Sequence, residues 1–407
     1  MAATIRRHWT SFLSRCFLSN AAANAASTPS GPSASSSAPL NSIGRLKSAI
    51  RAESDPERIL ALFQSSTHLH HFYRERPLYQ MSVHKLARSN RRDLVERLLE
   101  SQKSDPAAPK SEGFFIRIMS LYTEASMPSH AVRTFEQIPE RTEHSLCALL
   151  TIYLKKRRYD HVIELFKRIP RETGIEPGVA AYNILLSALC ETAGIDTARK
   201  LLDELPMRKD LQPNIISYNT ILTACLKYGD EESFDDILKE IERKVVAQNV
   251  VTYNLRMSAF CKRMKSFKAE ELLETMASEA VKPNLSTLNT LVNGFCKEGD
   301  LESALRVFKR LKVTNDGKEG VLPCPDTYVV LLRGLVYKGN FTSAQHICQE
   351  CLMRGFAPPF AVMKALVIGL VKDSKFEEAE DLVDKMRKVA NGQALHSWKK
   401  FETELPL

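Results

Sequence analysis

Between Val250 and Asn284 the apolar positions fall into two stripes. Tyr253, Leu255, Met257, Phe260 and Cys261 recur mostly at helical spacing with polar residues between them. Lys262 to Ser266 interrupts the pattern, and Phe267, Leu272, Leu273 and Met276 then resume it until Val281-Lys282-Pro283. Proline just beyond a helix stops it, so the stretch predicts helix, turn, helix. Neither helix can bury its stripe alone, which requires such units to stack on their neighbours.

The same pattern returns. Val179-Ala-Ala-Tyr182-Asn183, Ile215-Ile-Ser-Tyr218-Asn219, Val250-Val-Thr-Tyr253-Asn254 and Leu285-Ser-Thr-Leu288-Asn289 place their asparagines 36, 35 and 35 residues apart. Each phrase follows a closing dipeptide or its remnant: Pro177-Gly178, Pro213-Asn214, Gln248-Asn249 and Pro283-Asn284. A fixed period near 35 is the mark of a stacked-repeat protein, and it decides between several globular domains and one long array in favour of the array.

The remaining chain divides around this core. Residues 42–76 read as an N-terminal helical cap, with a helical pattern from Ser42 to Gln64 and Pro56 at a helix start. Residues 77–178 hold divergent units, with helices expected over Leu78–Arg88 and Arg91–Gln102 and late stripes at Ala131 and Phe135 and at Val162 and Phe166. Residues 179–324 are the well-formed repeats, the fourth stretched by a Gly- and charge-rich insert, Val313–Gly320, that is expected to bulge as a loop. Residues 325–391 are degenerate repeats that keep Thr327-Tyr328 but lose the asparagine, with Met363-Lys364 at those places in the last. The tail, 392–407, carries Trp398 and is expected to cover the final apolar face.

Charge changes the picture less than the total suggests. The chain is +9, but residues 1–52 hold six of its 57 basic residues and no acidic one, leaving 51 basic against 48 acidic residues. Bulk basicity therefore does not argue for nucleic acid, and any such contact must come from placed side chains. In the leader, Ile5, Trp9, Phe12, Leu13 and Cys16 fall on one helical face, with Arg6, Arg7 and Arg15 mostly off it. An amphipathic, arginine-bearing, acid-free leader looks like an organellar transit peptide, so residues 1–41 read as a transit peptide and disordered linker. Because arginines and apolar face begin so early, the expected destination is the mitochondrial matrix, with the plastid as alternative. No apolar run approaches the ~18–20 residues of a membrane span.

Candidate chemistry is sparse. Cys190, Cys261 and Cys296 occupy one place in their units and Cys225 is one residue off. Cysteines one per repeat cannot make a local tetrahedral zinc site and read as small buried hydrophobes. Cys348-Gln-Glu-Cys351, near His346, lacks a second pair of ligands. No His-x-Glu precedes a Cys-x-x-Cys, and there is no phosphate-binding glycine loop or nucleophile elbow. Neither an enzyme, a metal, a cofactor nor a small-molecule substrate is expected.

The period, the Thr-Tyr-Asn phrase and the closing Pro-Asn resemble the pentatricopeptide repeat family over roughly residues 77–391. A tetratricopeptide array, with a period of about 34, expects a Trp and a Leu-Gly early in each unit, and neither recurs. The resemblance implies an all-α, right-handed α-solenoid of about eight to nine 35-residue helix-turn-helix repeats. It also implies that the residue after the tyrosine hydrogen-bonds a base edge, that the last residue of the same unit tunes the contact, and that residues early in adjacent units clamp the base. The implied reading pairs are Asn183 with Asn214, Asn219 with Asn249, and Asn254 with Asn284. Asn289 pairs with Asp326 or Cys324, because the insert blurs the register. The clamps would be Ala180, Ile216, Val251 and Ser286. Asn–Asn pairs in this family favour pyrimidines and Asn–Asp favours uridine, while Cys147 with Gly178, Val329 with Pro359, and Lys364 are not readers. Against this stands a plainer possibility, that the asparagine belongs to the repeat's packing.

Four pyrimidines in a row occur at about one site in 16, so such units alone do not single out one transcript. Two functions remain open. One is a non-catalytic adaptor that reads a short pyrimidine-rich single strand of mitochondrial messenger or ribosomal RNA and acts in its stability, processing or translation. The other is a structural component of the mitochondrial small ribosomal subunit with ribosomal proteins as partners, since the chain is similar to short plant-organellar members of that kind.

Overall fold

The computed structural model describes residues 42–207, 211–312, 320–389, 398 and 401. The leader and the core of the 313–320 insert lie outside them. Among the described residues there are 20 α-helices and no strand. They form two compact units, one ending at Leu238 and the other beginning at Lys239.

In the first unit the helices come as pairs: α1 (Ile43–Ala52) with α2 (Pro56–Ser65), α3 (Arg76–Arg88) with α4 (Arg92–Ser104), and α5 (Glu112–Glu124) with α6 (Pro128–Glu136). Then follow α7 (Glu143–Lys155) with α8 (Tyr159–Thr173), α9 (Val179–Thr192) with α10 (Ile195–Glu204), and α11 (Ile215–Tyr228), which leads into α12 (Glu231–Arg243). The second unit holds α13 (Val250–Lys262) with α14 (Ser266–Ser278), α15 (Leu285–Glu298) with α16 (Leu301–Lys312), α17 (Pro325–Tyr337) with α18 (Phe341–Met353), and α19 (Phe360–Lys372) with α20 (Phe376–Val389). Within each unit a first helix packs on its own second helix and on the first helix of the next pair, so the first helices line one face.

The helical pattern expected over Ser42–Gln64, with a helix start at Pro56, is a pair of helices. Glu53 ends α1 in extended backbone, and the Asp55 carboxylate accepts the Glu57 N–H at 3.1 Å to start α2 at Pro56. The N-terminal cap is thus itself a helix pair, and it brings the described pairs to ten.

Eight of the ten pairs share one local device at their turn. The residue fifteen places after the first-helix N-cap adopts the left-handed conformation at Asn90, Ser126, Arg157, Gly229, Met264, Gly299, Gly339 and Ser374. This reverses the chain so that the second helix can return along the first.

The recurrent tyrosines and cysteines are core. Tyr218, Tyr253 and Tyr328 are fully buried, and Cys190, Cys225, Cys261, Cys348 and Cys351 are buried thiols. Burial pushes the Cys348 thiol up to about 12 and Cys351 up to about 11, far from the thiolate a metal would need. Among the described residues no cluster of His, Cys, Asp or Glu could hold a metal, and no helix is long and apolar enough to cross a membrane. At the C-terminal end Trp398 is buried edge-on against Phe360, with Phe401 beside both rings.

Candidate nucleic-acid interface

The first-helix face of each unit carries a polar ladder built by helix capping. Asn214 is the N-cap of α11; its Oδ1 accepts the Ile216 and Ser217 N–H groups at 3.0 and 3.2 Å. Ser217 answers by accepting the Asn214 N–H at 3.2 Å, which completes a capping box. Asn249 caps α13 in the same way through Val251 and Thr252, and Asn284 caps α15 through Thr287. An extended residue with a short side-chain acceptor is what an exposed helix N-terminus requires, so the closing Pro-Asn of each unit has a structural cause.

Five residues after each cap stands the recurrent asparagine, and at Asn183, Asn254 and Asn289 it joins one repeat to the next. Asn183 Oδ1 accepts the Ser217 hydroxyl at 2.6 Å and its Nδ2 donates to Asn214 Oδ1 at 3.4 Å. Asn254 Oδ1 accepts the Thr287 hydroxyl at 2.7 Å and its Nδ2 donates to Asn284 Oδ1 at 3.2 Å. Asn289 Oδ1 accepts the Thr327 hydroxyl at 2.6 Å, and its Nδ2 lies 3.7 Å from Cys324 Sγ.

Two sequence expectations change here. The asparagines were expected to reach a base edge, yet Asn183, Asn219, Asn254 and Asn289 are only 8%, 6%, 9% and 7% exposed. Buried amides need partners, and in Asn183, Asn254 and Asn289 the capped helix of the next repeat supplies them. The register after the insert is also resolved. Cys324 is the N-cap of α17, equivalent to Asn214, whereas Asp326 sits two residues inside the helix at the register of Ile216 and Val251. Of the two partners expected for Asn289, Cys324 is thus the one at the cap register, and Asp326 stands at the register of the expected clamps.

Those clamp positions are open. Ile216 is 56% and Val251 40% exposed, Ala180 is exposed, and Ser286 is half-buried. Large apolar side chains left in water beside a ladder of amides are the kind of surface on which an aromatic ring can stack.

A feature the sequence reading missed recurs along the first helices of each unit. Thirteen residues after the caps stand Lys155, Lys227, Lys262, Lys297 and Lys372, all exposed, at the ends of α7, α11, α13, α15 and α19. Lys227 is ion-paired with Glu191 of the preceding repeat. Burial first, and the Lys297 charge second, hold the Lys262 ammonium below its ordinary pKa. The signal that could have found this column is the 35-residue interval between Lys227, Lys262 and Lys297.

The earlier repeats are linked differently. The Glu112 carboxylate accepts from the Thr142 N–H and hydroxyl, both at 2.9 Å, and from the Ser145 N–H at 3.2 Å, capping α7 from the preceding pair. Glu143 does the same for α9 through Gly178 and Ala181. Burial raises the Glu112 pKa, but these donors outweigh it and the net shift is downward. At the asparagine register these repeats carry Ile116 and Cys147.

Paired helices with a 35-residue period and a capped amide ladder define a helical-repeat protein. The chain belongs to the pentatricopeptide repeat family. The family described as PPR repeat family matches residues 248–297, the pentatricopeptide repeat domain matches 145–191 and 200–263, and the PPR repeat matches 286–314 and 362–389. The chain is 30% identical over 372 residues to the Arabidopsis thaliana protein named small ribosomal subunit protein mL103 (rPPR7), covering 90% of this chain and 88% of that one. It is 35% identical over 188 residues to small ribosomal subunit protein mS78 (rPPR3a) of the same plant, 45% of this chain and 46% of the relative. A mitochondrial pentatricopeptide repeat-containing protein of that plant is 30% identical over 159 residues, 38% of this chain and 39% of the relative.

Proposed function

We propose that this protein is a non-catalytic RNA-binding component of the mitochondrial small ribosomal subunit, acting in the matrix and holding single-stranded ribosomal RNA along its first-helix faces. The observation that carries the reading is the nearly end-to-end similarity to a protein named as a small-subunit component. The open Ile216 and Val251 side chains and the lysine column support the RNA contact. The ladder supports a scaffold role, because an array whose asparagines are already bonded between repeats is held in register before any ligand arrives.

A second reading rests on the complete pairs Asn183 with Asn214 and Asn254 with Asn284. Each Nδ2 has a second N–H beyond the one spent on the ladder, and that donor can meet a pyrimidine edge. On this reading the protein is a free adaptor gripping a short pyrimidine-rich stretch of mitochondrial RNA. Sedimentation of a mitochondrial extract at high salt separates the two. The ribosomal reading expects the protein to travel with small-subunit markers after the salt wash. Quantitative release to the top fractions would transfer the assignment to the adaptor.

A further inference from the structure

We infer that the last two helix pairs add a sequence-tolerant nucleotide pocket to the RNA face, formed by Arg333 and Tyr337 of α17 with Lys372 of α19. The inference rests on the proposed RNA-binding role and extends it to repeats that carry no reading pair.

A cavity of about 520 Å³ opens between α17 and α19. Its floor is apolar, with Ala361, Ala365 and Ile368 among the residues that form it, and Arg333 and Lys372 bring the only charges to its lining. Pockets of about 300–1,000 Å³ hold ligands of small-molecule size, a range that suits one nucleotide. Tyr337 stands at the mouth with 87% of its surface exposed, and Arg333 and Lys372 are exposed and make no ion pair among the described residues.

Register places this cavity on the binding face. Arg333 and Tyr337 follow the Cys324 cap by nine and thirteen residues, and Lys372 follows the Pro359 cap by thirteen. Thirteen is the place of Lys262 and Lys297 in the preceding pairs of the same unit, so Tyr337 replaces a lysine in that column and Lys372 restores it. An exposed phenol ring offers a π-face to any base, and two cations without carboxylates between them suit an anion, so ring and cations together match the base and phosphate of a nucleotide and disfavour a basic or neutral peptide. The residues at the reading register here, Val329 and Lys364, cannot recognise a pyrimidine edge as an amide does. The pocket therefore grips a nucleotide without choosing among bases.

The test measures binding of the full chain to a pyrimidine tetramer and to the same tetramer lengthened by four adenines or four uridines at either end. One end should add affinity, equally for adenine and uridine. Tyr337→Ala should weaken that lengthened RNA by roughly five- to a hundredfold and leave the tetramer unchanged. Arg333→Gln with Lys372→Gln should lower the salt slope on the lengthened RNA by about 1.4. Because Tyr337 is exposed, an unaltered melting curve should accompany its replacement. Wild-type binding of the lengthened RNA by Tyr337→Ala overturns the pocket. Asn254→Thr run in parallel separates the two readings: if it alone weakens binding, the pocket falls and the base-reading face stands. If only the pocket variants weaken it, the pocket stands without the code, and if the wild-type chain binds neither RNA, both readings fall. Should Tyr337→Ala spare RNA binding but release the protein from small-subunit fractions, the cavity is a protein contact and the nucleotide assignment is overturned.

Discussion

Asn254 serves two neighbours at once, accepting from Thr287 and donating to Asn284 across the repeat boundary. Removing its amide deprives the Thr287 hydroxyl of its shorter acceptor and leaves it Asn284 Oδ1 at 3.2 Å, a loss of about 0.5–1.5 kcal/mol. Asn254→Thr keeps an oxygen on a shorter side chain, so we expect it to lower stability in urea by about 1 kcal/mol and Asn254→Ala by more. On RNA, the resemblance makes threonine paired with a unit-end asparagine an adenine-preferring combination. Binding to a pyrimidine tract should weaken and recover when the matching base becomes adenine, by roughly five- to a hundredfold at fixed salt. Since lost stability affects every ligand alike, the quantity to measure is the ratio among four RNAs differing at one base. An equal loss on all four would assign Asn254 to packing alone. The sequence displayed the repeating asparagine but not its second employment, because the partner hydroxyls of Ser217, Thr287 and Thr327 look like ordinary helix-start residues until the repeats are stacked.

At the scale of the element, the turn inside each pair carries the constraint. Met264 holds φ at 55° with its side chain 57% exposed, in the place that Gly229, Gly299 and Gly339 occupy elsewhere. A left-handed conformation costs a side-chain-bearing residue about 1–2 kcal/mol, against about 0.5–1 kcal/mol of extra chain entropy for glycine. Met264→Gly should therefore stabilise the protein by up to about 1 kcal/mol, read as a rise in Tm of about 1–2 °C. A fall in Tm would mean that the exposed methionine makes a contact worth more than the backbone strain. The interruption at Lys262–Ser266 was visible in the sequence as a break in periodicity, but the left-handed residue was not, since methionine carries no turn signal.

For the whole molecule, the small net charge outside the leader hides a patterned one. Lys227, Lys262 and Lys297 recur at one register, and a single strand neutralised by each of them releases about 0.7 of a counterion per contact. The triple change to Gln should reduce the slope of log affinity against log salt by about 2, with base preference retained. An unchanged slope would remove the column from the RNA path.

Much of this protein was determined by its sequence alone. Period, helix-turn-helix units and capping asparagines follow from local chemistry, since apolar spacing and a short acceptor before a helix act within a few residues. The boundaries of α13 at Val250 and α15 at Leu285 coincide with the starts of the recurrent phrases for that reason. Tertiary structure decided what local rules cannot reach. It put Cys324 rather than Asp326 in the cap after the insert, turned the cap region into a tenth pair, and drew the asparagines into a ladder between repeats. Each of these depends on which side chain of one repeat meets which of the next, a distance set by stacking and not by position along the chain.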